Sequence, residues 1–494
     1  MTHKEKKPDP EIGMWLSFLV YANYAMLVII GQLRDFFASI TGISRYTETK
    51  TKKGYSVLLK SWESFFKRRL YHRVQDCWNR PICSAPGAHF DVLERDSKDN
   101  NCSINLTGNK KNCLNLGSYN YLGFADNWLE YCGDAVLAAL ETDKVAMCSS
   151  PSEFGTTTVI TQLEEEVAKF LGKEAAFVCS MGYGTNSTTI PAIMGDESLI
   201  ISDTLNHTSL VNGSRGSSAK IRVFRHNDAK HLEQVLRESI VNGQPRLRRP
   251  WKKVLVMVEG IYSMEGAICD LSEIVKVCKK YKAYLYVDEA HSIGALGATG
   301  RGVTEYCNIN PDDVDILMGT FSKSFGGMGG YVAGSRETIA ALKAKSLSSL
   351  YCQSLSPVVC HQILTALRII ADPDPKGLGL TKIRQLHDNC NFFRQEMERI
   401  GMHTYGDYDS PIIPVLIYLP GKVAAFSRLC LERGVAVVVV GFPATSIVLS
   451  RARFCISASH TREDIEHAVK VIDEVGNLVG IKYKYNSFGV ESLY

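Results

Sequence analysis

The chain has little net charge for its length. Its 494 residues include 56 Lys and Arg against 52 Asp and Glu, which leaves a formal net charge of +4. It also lacks any block of basic residues that alternates with aromatic ones, the pattern typical of nucleic-acid binding. We therefore expect no nucleic-acid partner.

Metal-binding and disulfide patterns are missing as well. No Cys-x-x-Cys pair occurs, so a zinc ribbon has no support and we expect no metal site. The 15 cysteines are an odd number spread over a long chain, and some of them, such as Cys179 and Cys455, lie in apolar strand candidates. This distribution predicts reduced, buried thiols of a cytosolic protein rather than a disulfide scaffold. The sequence shows no short-period internal repeat.

One long hydrophobic run is present near the start. Residues 12–33 contain no charged side chain, and this is about the length of a helix that crosses a bilayer. We predict a membrane anchor here, and Trp15, Tyr21 and Tyr24 are candidates for interfacial positions. A signal peptide is disfavoured because the run is long and no small-residue cleavage site follows. A helix that lies in one leaflet remains an alternative, and basic residues on both sides leave the orientation open.

A second segment near the start is amphipathic. Apolar side chains at Leu58, Trp62, Phe65, Phe66 and Leu70 alternate with basic ones. Such a stripe fits either an anionic membrane surface or packing against the protein's own domain.

The remaining sequence alternates between helix and strand patterns. Residues 199–201, 254–258 and 284–288 are strand candidates, and residues 163–171 have helical spacing. Alternation of this kind predicts an α/β fold with a mainly parallel sheet covered by helices on both faces. A long helix is predicted from Ser356 and Pro357, a break at 372–377, and strands at 412–417 and 435–440 in a smaller domain.

Lys323 is the most informative residue for chemistry. It follows the strand candidate 315–318 in the turn Thr320-Phe321-Ser322-Lys323-Ser324-Phe325-Gly326. A lysine in a Gly/Ser loop is usually a surface charge. At the end of a buried strand, however, it can lose its proton and form an imine with an aldehyde cofactor, which points to pyridoxal 5'-phosphate (PLP).

Two other strand ends support this interpretation. The strand 284–288 ends in Asp288, with His291 three residues later. A carboxylate at the carboxyl end of a parallel strand can keep a pyridine nitrogen protonated, and His291 could reach the cofactor's phenolic oxygen. The strand from Ala176 leads into Gly182 and Tyr183 at a probable helix start, where free N–H groups suit a phosphate.

In chain order, the turn at Gly182, His207, the Asp288/His291 pair and Lys323 resemble the fold-type I PLP enzymes, and among them the α-oxoamine synthase family. The runs 117–125, 437–445 and 450–458 are similar to the catalytic subunits of eukaryotic serine palmitoyltransferases, and the match extends from about Tyr55 to about Tyr483.

The resemblance implies roles for further residues. It implies that His207 stacks on the cofactor ring and that Arg453 binds a substrate carboxylate through both guanidinium prongs. Thr320 and Ser322 are candidates for hydroxyl contacts to the cofactor, with Ser322 the better phosphate ligand. Ser354 matches a residue that contacts the phosphate of a neighbouring subunit's site. The glycine-rich stretch 294–302 lacks the context of a nucleotide-binding loop and predicts a turn beside the cofactor.

The resemblance also implies an activity and an assembly. The activity is the decarboxylative condensation of L-serine with palmitoyl-CoA to 3-ketosphinganine, the first step of sphingolipid synthesis. The assembly is a heterodimer with a noncatalytic long-chain-base subunit, joined by small membrane regulators. The location is the endoplasmic reticulum membrane, with the catalytic domain in the cytosol.

Two alternatives to this hypothesis remain, and the sequence departs from the family pattern at two positions. Another α-oxoamine synthase that uses glycine or alanine, or a noncatalytic scaffold subunit, would share part of the pattern, although the scaffold type lacks the imine lysine. Where related catalytic subunits carry an Arg and a His, this chain has Pro151 and Ile160.

We predict four parts from the sequence: a membrane-anchor segment at 1–55, an amphipathic helix and N-terminal region at 56–115, a large PLP-binding domain at 116–355, and a small C-terminal domain at 356–494.

Overall fold

A computed structural model describes residues 12–41, 54–56, 61–126 and 128–483. The helices are α1 Met14–Thr41, α2 Ser61–Arg69, α3 Asp134–Thr142, α4 Thr158–Leu171, α5 Gly182–Ile193, α6 Thr208–Gly216, α7 Ala229–Asn242, α8 Leu271–Tyr281, α9 Val303–Tyr306, α10 Arg336–Lys345, α11 Leu347–Leu350, α12 Pro357–Ala371, α13 Leu378–Arg399, α14 Pro420–Glu432 and α15 Arg462–Val479. The strands are β1 His89–Asp96, β2 Asn105–Asn115, β3 Ala175–Cys179, β4 Ser198–Asp203, β5 Lys220–Phe224, β6 Lys253–Glu259, β7 Ile261–Tyr262, β8 Ala267–Ile268, β9 Tyr284–Asp288, β10 Ile316–Thr320, β11 Gly330–Gly334, β12 Ile412–Leu416, β13 Val435–Ala436, β14 Val438–Val440 and β15 Arg451–Cys455.

The centre of the molecule is a seven-stranded sheet in the order β3-β11-β10-β9-β6-β4-β5. Neighbouring strands from β10 to β5 are parallel, whereas β11 runs antiparallel to both β10 and β3. The prediction of a mainly parallel sheet is confirmed. Strands such as β4 and β10 are buried at every position, as expected for a sheet covered on both faces.

Parallel strands bring their carboxyl ends to one edge of the sheet. The residues that follow β4, β6, β9 and β10 therefore lie at a common edge, where α/β folds place their ligands. The buried side chains of the seven strands form two hydrophobic clusters, one on each face of the sheet.

The C-terminal part contains a second sheet in the order β12-β15-β14, with antiparallel pairing. The helix predicted from Ser356 and Pro357 is α12, and the predicted break at 372–377 separates it from α13. The single strand predicted at 435–440 is wrong. Residues 435–436 form β13 and pair with β2, while residues 438–440 form β14 and pair with β15, because the chain changes sheets at Val437.

The N-terminal region is attached to this C-terminal part. Strands β1 and β2 are antiparallel, and β2 pairs with β13 in parallel, Leu114 opposite Val435. The predicted apolar helix is present as α1, and it continues eight residues beyond the predicted end at Leu33. Of the predicted amphipathic stripe, Leu58 lies outside the described residues, Phe65 is buried and Trp62 is half exposed. The four-part domain division stays a prediction.

Candidate active site

Lys323 lies in the turn that connects β10 to β11. Its ammonium nitrogen is 5.6 Å from the centre of the Tyr119 ring. Burial lowers the pKa of Lys323 to about 8, against the opposing attraction of the Asp288 and Glu259 carboxyl groups. A substantial fraction of this amine is therefore neutral near physiological pH, as a nucleophile requires.

Asp288 ends β9, the strand beside β10. Its carboxylate is buried and accepts hydrogen bonds from Asn186 Nδ2 at 2.7 Å and from the backbone of Ala290 at 2.9 Å. Asn186 is fixed in turn by the hydroxyl of Tyr286, which donates to Asn186 Oδ1 at 2.7 Å. These neutral donors satisfy Asp288 without neutralising its charge, so the carboxylate can serve a cationic partner.

His207 caps the start of α6 beside the same edge. Its backbone N–H donates to the buried Glu259 carboxyl group, and its Nδ1 lies 2.8 Å from Ser209 Oγ. His207 is exposed, and its ring makes an edge contact with the Tyr183 ring, with the two ring centres 6.0 Å apart. Burial and the Lys323 charge lower the pKa of His207, although Asp288 opposes this shift. A neutral imidazole is suited to stacking on a ring.

His291 is buried behind these groups. Its Nδ1 is 2.8 Å from the Tyr121 hydroxyl, and its ring contacts Tyr119 edge-on at 5.4 Å. Burial, together with the positive charges of Lys323 and Arg453, holds the pKa of His291 well below its usual value. His291 is therefore neutral at physiological pH.

The predicted phosphate turn forms the start of α5. Gly182 is the first residue of this 12-residue helix. A Cβ atom at Gly182 would lie 2.6 Å from Thr320 Oγ1, so only glycine permits this close approach of the two segments. Thr320 donates its hydroxyl proton to the Gly329 carbonyl, and its Oγ1 lies 2.8 Å from Ser322 Oγ. The Thr320 hydroxyl already donates its proton to a carbonyl, whereas the Ser322 side chain is exposed. The Ser322 hydroxyl is therefore the one available to a ligand.

Arg453 approaches from β15 in the C-terminal part. Its guanidinium donates to the Tyr119 hydroxyl and to Met264 Sδ at 3.8 Å, and Nε has no hydrogen-bond partner among the described residues. The side chain is buried, and its hydrogen-bond partners within the described ranges include no carboxylate. A buried guanidinium without a carboxylate partner is a receptor for an anionic ligand group.

Ser354 does not join this cluster through any contact of the described residues. It is buried, its Oγ lacks a partner in the described part of the chain, and it packs closely against Gly155. Its role in a neighbouring subunit's site stays a prediction. Of the two departures, Ile160 is a buried core residue of α4, and Pro151 lies in the preceding loop, where its carbonyl accepts from Thr156.

The glycine-rich stretch 294–302 forms the predicted turns, and they lie next to the segment that carries Lys323. A Cβ on Gly294 would meet Ser324, the neighbour of Lys323, at 2.5 Å. Glu289 holds the far end of this stretch by accepting from the backbone N–H of Val303.

Comparison with known proteins agrees with this geometry. The aminotransferase class I and II family model matches residues 111–472. Long chain base biosynthesis protein 2a of Arabidopsis thaliana is 53% identical over 94% of this chain and 94% of its own length. Serine palmitoyltransferase 2 of Dictyostelium discoideum is 49% identical over 97% of this chain and 98% of its own. The chain belongs to the serine palmitoyltransferase family.

Solved structures of the family show the same fold. A serine palmitoyltransferase structure with PLP has a TM-score of 0.71 and 28% identity, covering 81% of this chain and 93% of that one. The Sphingomonas wittichii serine palmitoyltransferase has a TM-score of 0.70 and 30% identity, covering 76% and 90%. The fold is that of the fold-type I PLP enzymes, and the cofactor of this PLP-dependent acyltransferase family is pyridoxal 5'-phosphate.

The residues of this serine palmitoyltransferase-family chain fit PLP. The partly buried amine of Lys323 suits its aldehyde, the carboxylate of Asp288 suits a protonated ring nitrogen, and the cradle at Gly182 and Ser322 suits its phosphate. Each of these three features matches one chemical group of the cofactor, and Ser322 and Lys323 are neighbours in the same turn.

Several residues of the site were not predicted in these roles. They hold the predicted residues by hydrogen bonds: Asn186 holds Asp288, and Tyr119 holds Arg453. In the same way Tyr121 holds His291, and Glu259 holds the backbone of His207. The sequence carried one weak signal for Glu259, a carboxylate at the end of a strand candidate. Asn186 lies 102 residues from Asp288, and no local pattern reveals such a pair.

The lowered pKa of Lys323 makes a testable prediction about cofactor capture. Because only the neutral amine attacks an aldehyde, the rate at which apoprotein gains visible absorbance on mixing with PLP should rise about tenfold per pH unit below pH 8. Above pH 8 the rate should level off. A rate that keeps rising beyond pH 10, as for a solvent-exposed lysine, would show that burial does not lower the pKa of Lys323.

Proposed function

We propose that this chain is the catalytic subunit of a serine C-palmitoyltransferase. The reaction joins L-serine to palmitoyl-CoA, releases carbon dioxide and CoA, and gives 3-ketosphinganine. One observation carries the proposal: the amine of Lys323 and the guanidinium of Arg453 both lie against the ring of Tyr119, at 5.6 Å and 5.0 Å from its centre. An amino acid held there would have its amino group and carboxylate recognised at the same time.

Lys323 acts first as the anchor and then as the base. Its amine would hold PLP, and the same amine, when free, would accept the proton from Cα of serine. The pKa of about 8 suits both uses, because the group gains and loses a proton near physiological pH. When bound, PLP supplies an electron-withdrawing ring that stabilises negative charge on Cα.

Asp288 would pair with the protonated ring nitrogen and so maintain that electron sink. Asn186 and the backbone of Ala290 orient its two oxygens. His207 would stack on the cofactor ring, and neutral His291, held by Tyr121, would be the partner for its phenolic oxygen. Arg453 would bind the serine carboxylate, and Gly182, Tyr183 and Ser322 would hold the phosphate, with Thr320 positioning the Ser322 hydroxyl.

The role of Asp288 predicts a large loss on mutation. Asp288→Ala should lower kcat by about a hundredfold or more, since the ring nitrogen loses its ionic partner. Covalent attachment of the cofactor to Lys323 should persist, and borohydride reduction with mass spectrometry checks this. Asn186→Ala, which removes one hydrogen bond to the carboxylate, should have a smaller effect. Nearly normal turnover of Asp288→Ala would contradict the assignment.

The cellular setting is part of the same proposal. The catalytic subunit works as a heterodimer with a noncatalytic relative and small membrane regulators at the endoplasmic reticulum membrane, with its catalytic part in the cytosol. Helix α1 supports membrane attachment, because Met14–Ala38 is long and apolar enough to cross a bilayer. Ser354 contributes to the phosphate site of the neighbouring subunit.

Product analysis tests the proposal directly. The protein, co-expressed with its partner, is supplied with palmitoyl-CoA and with serine, glycine or alanine in parallel, and the products are identified by mass spectrometry. We expect a long-chain ketone from serine in excess over the other two. A preference for glycine or alanine would replace serine palmitoyltransferase by another α-oxoamine synthase, and colourless protein with no trapped cofactor would favour the noncatalytic scaffold.

A further inference from the structure

Helix α1 has one face against the protein along most of its length. Leu16 and Val20 are buried, Tyr24 and Leu27 line an apolar cavity, and Gly31 is buried. These positions recur every three or four residues, so they form one stripe of the helix. The stripe continues to Asp35 in the last part of the helix.

The partners of this stripe belong to two separate parts of the chain. The cavity of about 420 Å³ has Tyr24 and Leu27 on one wall and Phe442 and Pro443 of the C-terminal part on another. Further along, a Cβ on Gly31 would lie 2.8 Å from Cζ of Phe65, so α1 and α2 approach each other as closely as glycine permits. Helix α1 is therefore held at more than one point.

Ion pairs join α1 and α2 at the end of the docked stripe. Asp35 accepts a hydrogen bond from Arg69 Nε at 2.8 Å and forms an ion pair with Arg68 at 3.3 Å. All three side chains are partly buried, which makes the pairs stronger than exposed ones. The nine residues of α2 include four charged side chains, at Glu63, Lys67, Arg68 and Arg69.

This arrangement is incompatible with a helix that crosses the bilayer. The docked stripe from Leu16 to Asp35 spans 20 residues, or about 28 Å of helix, nearly the full thickness of the hydrocarbon core. A crossing helix would pull α2 and the loop around Phe442 into the hydrocarbon. Each charged side chain there costs about 2.5–3.5 kcal/mol even on the mildest scale, and loop backbone groups would lose their water partners.

The opposite face of α1 is exposed and mostly apolar, with Gln32 and Arg34 as exposed polar residues near its end. Its large side chains are Met14, Trp15, Phe18, Tyr21, Met26, Ile29, Ile30, Leu33, Phe36, Phe37 and Ile40. A continuous apolar stripe of this length, with aromatic residues at both ends, fits the interface of a lipid bilayer. Trp62 of α2 is half exposed beside Phe65, where it can extend the same surface.

We propose that α1 is an in-plane membrane helix rather than a transmembrane one. Its inner face is docked on the catalytic body from Leu16 to Asp35, and its outer face is seated in one leaflet of the bilayer. Both ends of the helix therefore stay on the same side of the membrane as the catalytic body. The inference does not rest on the proposed reaction, because neither experiment below uses activity.

Protease protection tests the topology. One epitope is placed ahead of Met1 and another is inserted between Gly108 and Asn109, an exposed point of β2 where its pairing with β1 is irregular and the space around Gly108 is open. The full chain is expressed with its partner, and sealed microsomes are treated with protease. We expect both epitopes to be digested without detergent. Protection of the first epitope until detergent is added would show that α1 crosses the membrane and would overturn the proposal.

A matched pair of triple variants tests the seating in lipid. Phe18→Asp, Ile29→Asp and Leu33→Asp change the outer face of α1, whereas Phe154→Asp, Val241→Asp and Leu247→Asp change three exposed apolar residues elsewhere. After an alkaline carbonate wash, the first variant should lose at least tenfold of its membrane-bound fraction, and the control should resemble the unmodified chain. Equal retention of both variants would overturn the assignment of the outer face to lipid.

Discussion

Lys323→Ala is expected to lower turnover by about a thousandfold or more, because it removes both the cofactor anchor and the base for the Cα proton. The visible absorbance of the protein should disappear or shift, since PLP then binds without a covalent bond. Mass spectrometry after borohydride reduction should find the cofactor on residue 323 of the unmodified protein and on no residue of the variant.

A matched lysine provides the control for this prediction. Lys345 lies in α10 of the same domain, but it is exposed. Lys345→Ala should leave both the absorbance and turnover unchanged. If well-folded protein saturated with PLP carries no cofactor at residue 323 after reduction, the catalytic interpretation of this chain is wrong.

Arg453→Met should weaken serine binding while the cofactor remains bound. The loss of two charge-assisted hydrogen bonds to a carboxylate is worth about 2–3 kcal/mol, which is about a 30- to 150-fold rise in the KM for serine. Arg453→Lys keeps the charge but not the two-pronged geometry, so it should recover only part of the loss. Steady-state kinetics over a range of serine concentrations measures both variants.

The control for Arg453 is Arg399→Met, a change at an exposed arginine that pairs with Glu396. It should change neither the KM for serine nor the absorbance of the bound cofactor. A structural role alone for Arg453 would lower stability without a selective effect on serine. An unchanged KM in folded Arg453→Met would therefore refute its assignment as the carboxylate receptor.

The strand ends were predictable from the sequence because local signals mark them. An apolar run followed by a carboxylate, a glycine turn or a lysine turn indicated β9, β3 and β10. Parallel pairing brought the ends of β9 and β10 together, and β11, which is antiparallel to both β10 and β3, brought the end of β3 to the same edge. The extent of α1 was underestimated because charged Arg34 and Asp35 end the apolar run but not the helix.

Other features depend on tertiary contacts that leave no local trace. Residues 435–440 have the uniform apolar pattern of one strand, yet the two halves pair with strands from opposite ends of the chain. The hydrogen bond between Asn186 and Asp288 likewise depends on how α5 packs over β9, not on either neighbourhood in the sequence.

The pairing of β2 with β13 has a consequence for synthesis of the chain. Leu114 must wait until Val435 has been made, 321 residues later, before this pair can form. At typical elongation rates of about 5–20 residues per second, the interval is on the order of 15–60 s. During that time the inner edge of β2 is an open strand edge, which invites association with other nascent chains. Newly made protein therefore has a period of vulnerability to aggregation, and a chaperone that shields β2 during translation would improve the yield of folded molecules.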